Sequence, residues 1–403
     1  MEIIERPAYL ECIISRLNRG MILILTGQRR VGKSYVLLQL RRWLQSARPT
    51  ANMLYINKEL QEFRALTTAS QLYDYAVERL PSGGDNYLLI DEVQDVADYQ
   101  NALRSLQAEE RCQIVATGSN AYVLSSEIST RLAGRYIEIP VYSLSYQEFL
   151  TFHHLDDSEA SLLSYLRVGG LPGLRHFDIA DESQVRDYLQ GVYTTVMMSD
   201  VVSREKVRNV TFVENLSHFI ADNIGKLISV LNISNTMKAQ GGKETTSLTS
   251  TYLKYLCNAL IIDQVYRYDV RGKRLFEQNF KYYFADHGLR NYLCGFNLRG
   301  SIEKVIENVI YNHLRRQGYA VTMGILRAGE IDFVATRGFD TIYVQASYLL
   351  SNDATIDREF GNLAKIPDSY PKYVVSMDPI GGTPAKFPGI RYLHLRQFLQ
   401  TPL

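Results

Sequence analysis

Eight consecutive residues, Gly27-Gln28-Arg29-Arg30-Val31-Gly32-Lys33-Ser34, satisfy the spacing G-x-x-x-x-G-K-[ST]. Glycines at the two ends of such a loop let backbone N–H groups close around a polyphosphate. The lysine reaches the β- and γ-phosphates, and the hydroxyl of the next residue reaches Mg²⁺. The candidate nucleotide contacts are therefore Gly27, Gln28, Arg29, Arg30, Val31, Gly32, Lys33, Ser34 and the following Tyr35, with Ser34 also a metal ligand. An apolar run, Met21-Ile22-Leu23-Ile24-Leu25, precedes the loop, and Tyr35-Val36-Leu37-Leu38-Gln39-Leu40 follows it. This is a strand leading into a helix, whose positive end then faces the phosphates.

A second group bears on hydrolysis. Asn86-Tyr87-Leu88-Leu89-Ile90 reads as a strand ending in the carboxylates Asp91 and Glu92. An aspartate at the carboxyl end of a neighbouring strand can hold the Mg²⁺ shell, which is the task predicted for Asp91. Glu92, one residue on, is placed to deprotonate a water as general base. Cys112 to Asn120 reads as a third core strand whose polar end makes Ser119 and Asn120 candidate sensors of the γ-phosphate. Arg131 and Arg135 precede another strand, Ile137-Glu138-Ile139-Pro140. Either guanidinium could stabilise transition-state charge at a neighbouring subunit's nucleotide. Lys33, Glu92, Asn120, Arg131 and Arg135 are the candidate catalytic residues.

The elements that must position these groups alternate strand and helix through about residue 150, which predicts a parallel sheet covered on both faces. At 403 residues the chain has room for further domains, and a charged content of 22% is ordinary for a globular protein. Helical periodicity dominates residues 155–235, broken at Gly169-Gly170-Leu171-Pro172-Gly173, and reads as a helical lid. Four scattered cysteines (Cys12, Cys112, Cys257, Cys294) form no metal or disulfide pattern and agree with a reducing cytoplasm. No apolar run is long enough to span a membrane, and Met1-Glu2-Ile3-Ile4-Glu5-Arg6 lacks the form of a signal peptide.

Charge is unevenly spread. Residues 101–200 hold 7 Lys+Arg against 13 Asp+Glu, whereas residues 201–300 hold 14 against 8. A basic third can grip phosphates by releasing counterions, or it can attract an acidic domain. Within it, residues 225–295 suggest a winged helix-turn-helix: a helix over Ser247–Leu256, then a hairpin with a basic tip around Gly272. In that motif the second helix enters a groove and the wing meets phosphate. Thr249, Ser250, Lys254, Arg271, Lys273 and Arg274 are the candidate DNA contacts. In the tail, Glu303 and Glu307 on a helix, then Glu330-Ile331-Asp332, then Gln345-Ala346-Ser347 follow the order of the PD-(D/E)XK nuclease core. Gln345 stands where an acid is expected and Ser347 where the lysine is expected, which argues against cleavage.

Gly27–Ser34, Leu89-Ile90-Asp91-Glu92-Val93-Gln94, Thr117-Gly118-Ser119-Asn120, Arg131-Leu132-Ala133-Gly134-Arg135-Tyr136 and Tyr282-Tyr283-Phe284-Ala285-Asp286 together resemble a family of prokaryotic AAA-type ATPases. The resemblance covers nearly the whole chain and implies an ATPase core, a winged helix and a nuclease-like tail, which with the helical lid read above makes four expected parts. These are an α/β core with the P-loop AAA-type parallel sheet (1–150), a helical lid (151–224), a winged helix (225–295) and a C-terminal degenerate PD-(D/E)XK nuclease-like α/β domain (296–403). It also implies ATP with Mg²⁺ as cofactors, and self-association into a ring or cluster with ATP between subunits. The resulting expectation is a cytoplasmic ATP-hydrolysing, DNA-binding motor or remodeller acting on duplex or branched DNA. A nucleotide-dependent signalling or defence switch that binds protein partners, and an ATP-regulated nuclease, are the alternatives.

Overall fold

The computed structural model describes residues 3–119, 132, 134–239, 241–243, 245–270, 272, 274–326, 329–379 and 382–403. It divides into two compact units, Met1–Ser143 with Asn258–Leu260, and Leu144–Cys257 with Ile261–Leu403.

The first unit is built on five strands: β1 (Ile22–Thr26), β2 (Asn52–Asn57), β3 (Asn86–Asp91), β4 (Gln113–Gly118) and β5 (Tyr136–Pro140). All run parallel in the order β2-β3-β4-β1-β5. Strands covered on both faces read as continuous apolar runs rather than alternating ones. Accordingly β1, β3 and β4 are buried at every position. The covering helices are α1 (Pro7–Ile14), α2 (Lys33–Ala47), α3 (Ala69–Arg79) and α4 (Tyr99–Ala108). Helix α3 opens with a capping box in which Thr68 and Gln71 each bond the other's backbone N–H. Leu72, Ala76, Leu103 and Leu106 pack on Leu88, Ile90 and Ile114 of the sheet.

This order has a functional consequence. The β1/β4 register pairs Thr26 with Gly118, and the β3/β4 register pairs Ile90 with Ala116. The carboxyl ends of β1, β4 and β3 therefore lie side by side, where open parallel α/β sheets bind ligands.

The second unit begins with helices, as the periodicity predicts: α5 (Tyr146–His153), α6 (Glu159–Val168), α7 (Glu182–Val196) and α8 (Val210–Asp222). Helices α9 (Val230–Ala239) and α10 (Thr246–Asn258) lead into a hairpin of β6 (Ile262–Asp269) and β7 (Arg274–Phe284). After α11 (His287–Cys294) and α12 (Ile302–Arg316) come β8 (Ala320–Leu326), β9 (Gly329–Arg337), β10 (Asp340–Ala346), α13 (Asp353–Ala364), β11 (Lys372–Ser376), β12 (Ile390–His394) and α14 (Leu395–Phe398). The hairpin does not stand alone. Strand β6 pairs parallel with β8, so it extends the tail strands into one seven-stranded sheet of order β12-β11-β10-β9-β8-β6-β7. Residues expected as a wing and residues expected as a nuclease-like tail thus share a sheet. Among the described residues no helix is long and apolar enough to cross a membrane.

Candidate functional site

The loop after β1 adopts the backbone its sequence requires. Gly27 has φ 148° and Gly32, immediately before α2, has φ 99°, both in the region that favours glycine. A Cβ at Gly27 would come within 2.1 Å of the Val141 carbonyl oxygen, so only glycine lets the loop pass there. Lys33 is buried, and its ammonium donates to the Gly27 carbonyl at 2.9 Å and the Gln28 carbonyl at 3.0 Å. The lysine is thereby held inside the loop it is expected to serve. Gln28 and Val31 are buried, Arg29 is half-buried, and Arg30 (φ 69°) and Tyr35 are exposed.

Asp91, at the tip of β3, is fully buried. Its Oδ1 accepts a hydrogen bond of 2.6 Å from the Thr117 hydroxyl, while its Oδ2 has no hydrogen-bond partner. Burial pushes the carboxyl above its ordinary range, and the Thr117 and Ser34 hydroxyls beside it pull the other way. The Ser34 hydroxyl and the Asp91 carboxylate thus lie side by side. Mg²⁺ is usually bound by one or two carboxylates, waters and substrate phosphates. An orphaned carboxylate oxygen beside a serine hydroxyl fits that donor set.

Glu92 follows with φ 57°, a left-handed residue that turns the chain off the strand into the 3₁₀ turn Val93–Asp95. Its N–H donates to Thr117 Oγ1 at 2.9 Å. The Gln94 amide donates to Glu92 Oε2 and, at 3.2 Å, to the Ser119 hydroxyl. The candidate base and the candidate sensor Ser119 are therefore joined through Gln94. Neither Thr117 nor Gln94 figures among the sequence-derived candidates. The signal for Thr117 was a hydroxyl closing an apolar strand beside the Asp-Glu pair. Arg6 was also missed, and nothing local marks it. It is buried, with its guanidinium donating to the carbonyls of Val31 and Tyr142, each at 3.0 Å.

Other predicted residues fall elsewhere. Asn120 and Arg131 lie outside the described residues. Arg135 is exposed and immediately precedes β5, whose register pairs Tyr136 with Ile22. That is the amino end of the sheet, a strand length of about 15 Å from the loop at the carboxyl end. Arg135 therefore does not join its own chain's site. Of the predicted DNA contacts on α10, Ser250 and Lys254 are exposed. Thr249 is corrected: it is fully buried and its hydroxyl donates to the Thr245 carbonyl at 3.1 Å, because this face of the helix packs inward. Arg274 opens β7 opposite Asp269, and Arg271 and Lys273 lie outside the described residues.

Sheet order, glycine loop, buried lysine and strand-tip carboxylate define the class, a P-loop nucleotide-binding core of the AAA type. Residues 19–150 match the family model described as an AAA domain, and residues 159–299 match a domain of unknown function. An uncharacterized protein of Haemophilus influenzae is 33% identical over 380 residues, covering 93% of each chain. The chain belongs to the same family as that protein. Uncharacterized protein MJ1544 of Methanocaldococcus jannaschii is 27% identical over 85% of this chain and 78% of its own. Among solved structures, the Walker-type ATPase PABY2304 of Pyrococcus abyssi is 16% identical, covering 71% of this chain and 94% of that one, with a TM-score of 0.48.

Proposed function

We propose that the chain binds ATP with Mg²⁺, hydrolyses it, and couples the cycle to DNA as a motor or remodeller. The observation that carries this reading is the convergence of Lys33, Ser34, Asp91 and Glu92 on one end of the sheet. Lys33, which donates to the Gly27 and Gln28 carbonyls, can exchange these backbone acceptors for phosphate oxygens. Ser34 and Asp91 would hold the metal, which neutralises phosphate charge when bound. Glu92, oriented through Gln94, takes the proton from the attacking water.

The DNA part rests on the basic residues 201–300 and on the exposed Ser250 and Lys254, one helical turn apart on α10. Arg131 or Arg135 would stabilise charge at the nucleotide of a second copy in a ring or cluster. The test is ATPase activity with and without linear duplex, single-stranded and junction DNA. Stimulation that falls steeply with salt and with Lys254→Glu supports the coupling. Turnover indifferent to every DNA sinks it and leaves a protein-binding switch.

A further inference from the structure

A nuclease-like tail implies a divalent cation held by Glu307 of α12 and Asp332 of β9. The structure brings these two carboxylates together, but a cation from the protein already bridges them. Lys281, on β7, donates to Glu307 Oε1 at 2.8 Å and to Asp332 Oδ1 at 3.3 Å, with its own side chain 4% exposed. Other donors share these carboxylates. The Tyr283 hydroxyl donates to the same Glu307 oxygen, and the Ala346 N–H donates to Asp332 Oδ2 at 3.0 Å. Gln345, standing where the nuclease pattern wants an acid, accepts the Asp332 N–H at 3.3 Å and adds no charge. Among the described residues no group of three or more His, Cys, Asp or Glu could hold a metal.

Charge and geometry agree. An ammonium is a compact point charge with three donors and suits the space between two carboxylates. Burial alone would push Lys281 toward the neutral amine, yet the two carboxylates outweigh it and hold the ammonium above its ordinary range. A divalent ion entering between Glu307 and Asp332 would have to displace a buried like charge. The donor set therefore does not fit the implied metal.

We infer that Lys281 is the permanent counterion of Glu307 and Asp332, occupying the position a divalent cation takes in a metal-dependent nuclease. The domain then holds no divalent ion there, and removing the ammonium unmasks a latent hard-cation site. Lys281 lies on the hairpin strand, far before Ser347 in the chain, so the positive charge missing from Ser347 is supplied from another element. This inference is independent of the phosphate loop.

The experiment titrates Mn²⁺ into the full-length, nucleotide-free protein and reads free ion by electron paramagnetic resonance. Wild type and Glu307→Gln should give the same isotherm, and Lys281→Met should gain one Mn²⁺ per chain that Lys281→Met/Glu307→Gln lacks. A Mn²⁺ in wild type that disappears in Glu307→Gln overturns the proposal, as does a folded Lys281→Met that gains none. Should Lys281→Met fail to fold, the wild-type and Glu307→Gln isotherms decide alone.

Discussion

The sites around Lys33 and Lys281 use nearly the same groups, a lysine and carboxylates, to opposite ends. At the phosphate loop, Lys33 rests on two neutral carbonyls while the Asp91 carboxylate keeps one oxygen without a protein partner. In the tail, Lys281 is locked between two carboxylates. The lesson concerns exchangeability. A buried ammonium on backbone carbonyls trades them for phosphate at modest cost, whereas one paired with two half-buried anions cannot leave without stranding them. The first arrangement is a receptor and the second is a closed circuit.

The strongest test of that contrast removes the base. Glu92→Gln should bind ATP normally and lose about 10²–10⁴-fold in turnover, read by single-turnover hydrolysis and filter binding. Near-normal turnover would remove Glu92 from its role. Next come the two lysines, which should separate cleanly. Lys281→Met should lower unfolding stability by up to about 3–5 kcal/mol, because it leaves two half-buried carboxylates uncompensated. Lys33→Ala should cost clearly less denaturant stability than Lys281→Met, since it leaves neutral carbonyls rather than carboxylates without their donor, while weakening ATP binding by about 1.5–3 kcal/mol, the range for hydrogen bonds to a charged group. Equal stability losses in the two variants would erase the distinction.

Smaller effects sharpen it. Thr117→Ala leaves the Glu92 N–H and an Asp91 oxygen unsatisfied, so chemical denaturation should show a loss of about 1–3 kcal/mol. A pH dependence should come from His313, which burial first and the nearby Arg316 second bring down to about 3 in the folded chain. Above pH 6.5 neither folded nor unfolded chain protonates it. As pH falls from 6.5 toward 3 only the unfolded chain gains the proton, so stability is lost on acidification, approaching about 1.4 kcal/mol per pH unit. His313→Gln should flatten that slope in urea melts between pH 7.5 and 5.5; an unchanged slope would assign it to other groups.

Much of the first unit was legible because its signals are local. The glycine loop, its flanking strand and helix, and the Asp91-Glu92 pair each lie within a few residues. What escaped depends on strand order, which no short segment carries. Thr117 matters because β4 lies beside β3, and Arg6 because the entering chain crosses the loop. In the second unit, periodicity locates α10 and the hairpin but not which face of α10 turns inward, and Thr249 lies on that inward face. Periodicity also gives no hint that β6 would pair with β8. For the same reason the tail looked short of a charge: its lysine arrives from β7, where a consensus anchored on Ser347 cannot find it.

The tight passage at Gly27 has one more implication. The Val141 oxygen leaves no room for a side chain at Gly27, the Val141 N–H donates to the Thr26 carbonyl, and Arg6 ties the carbonyls of Val31 and Tyr142 to one guanidinium. The peptide through which the ATPase core hands over to the rest of the polypeptide is thereby stitched to the cradle for the triphosphate. Any reshaping of that cradle must therefore pull on Val141 and Tyr142, the last residues before the first unit's chain runs out.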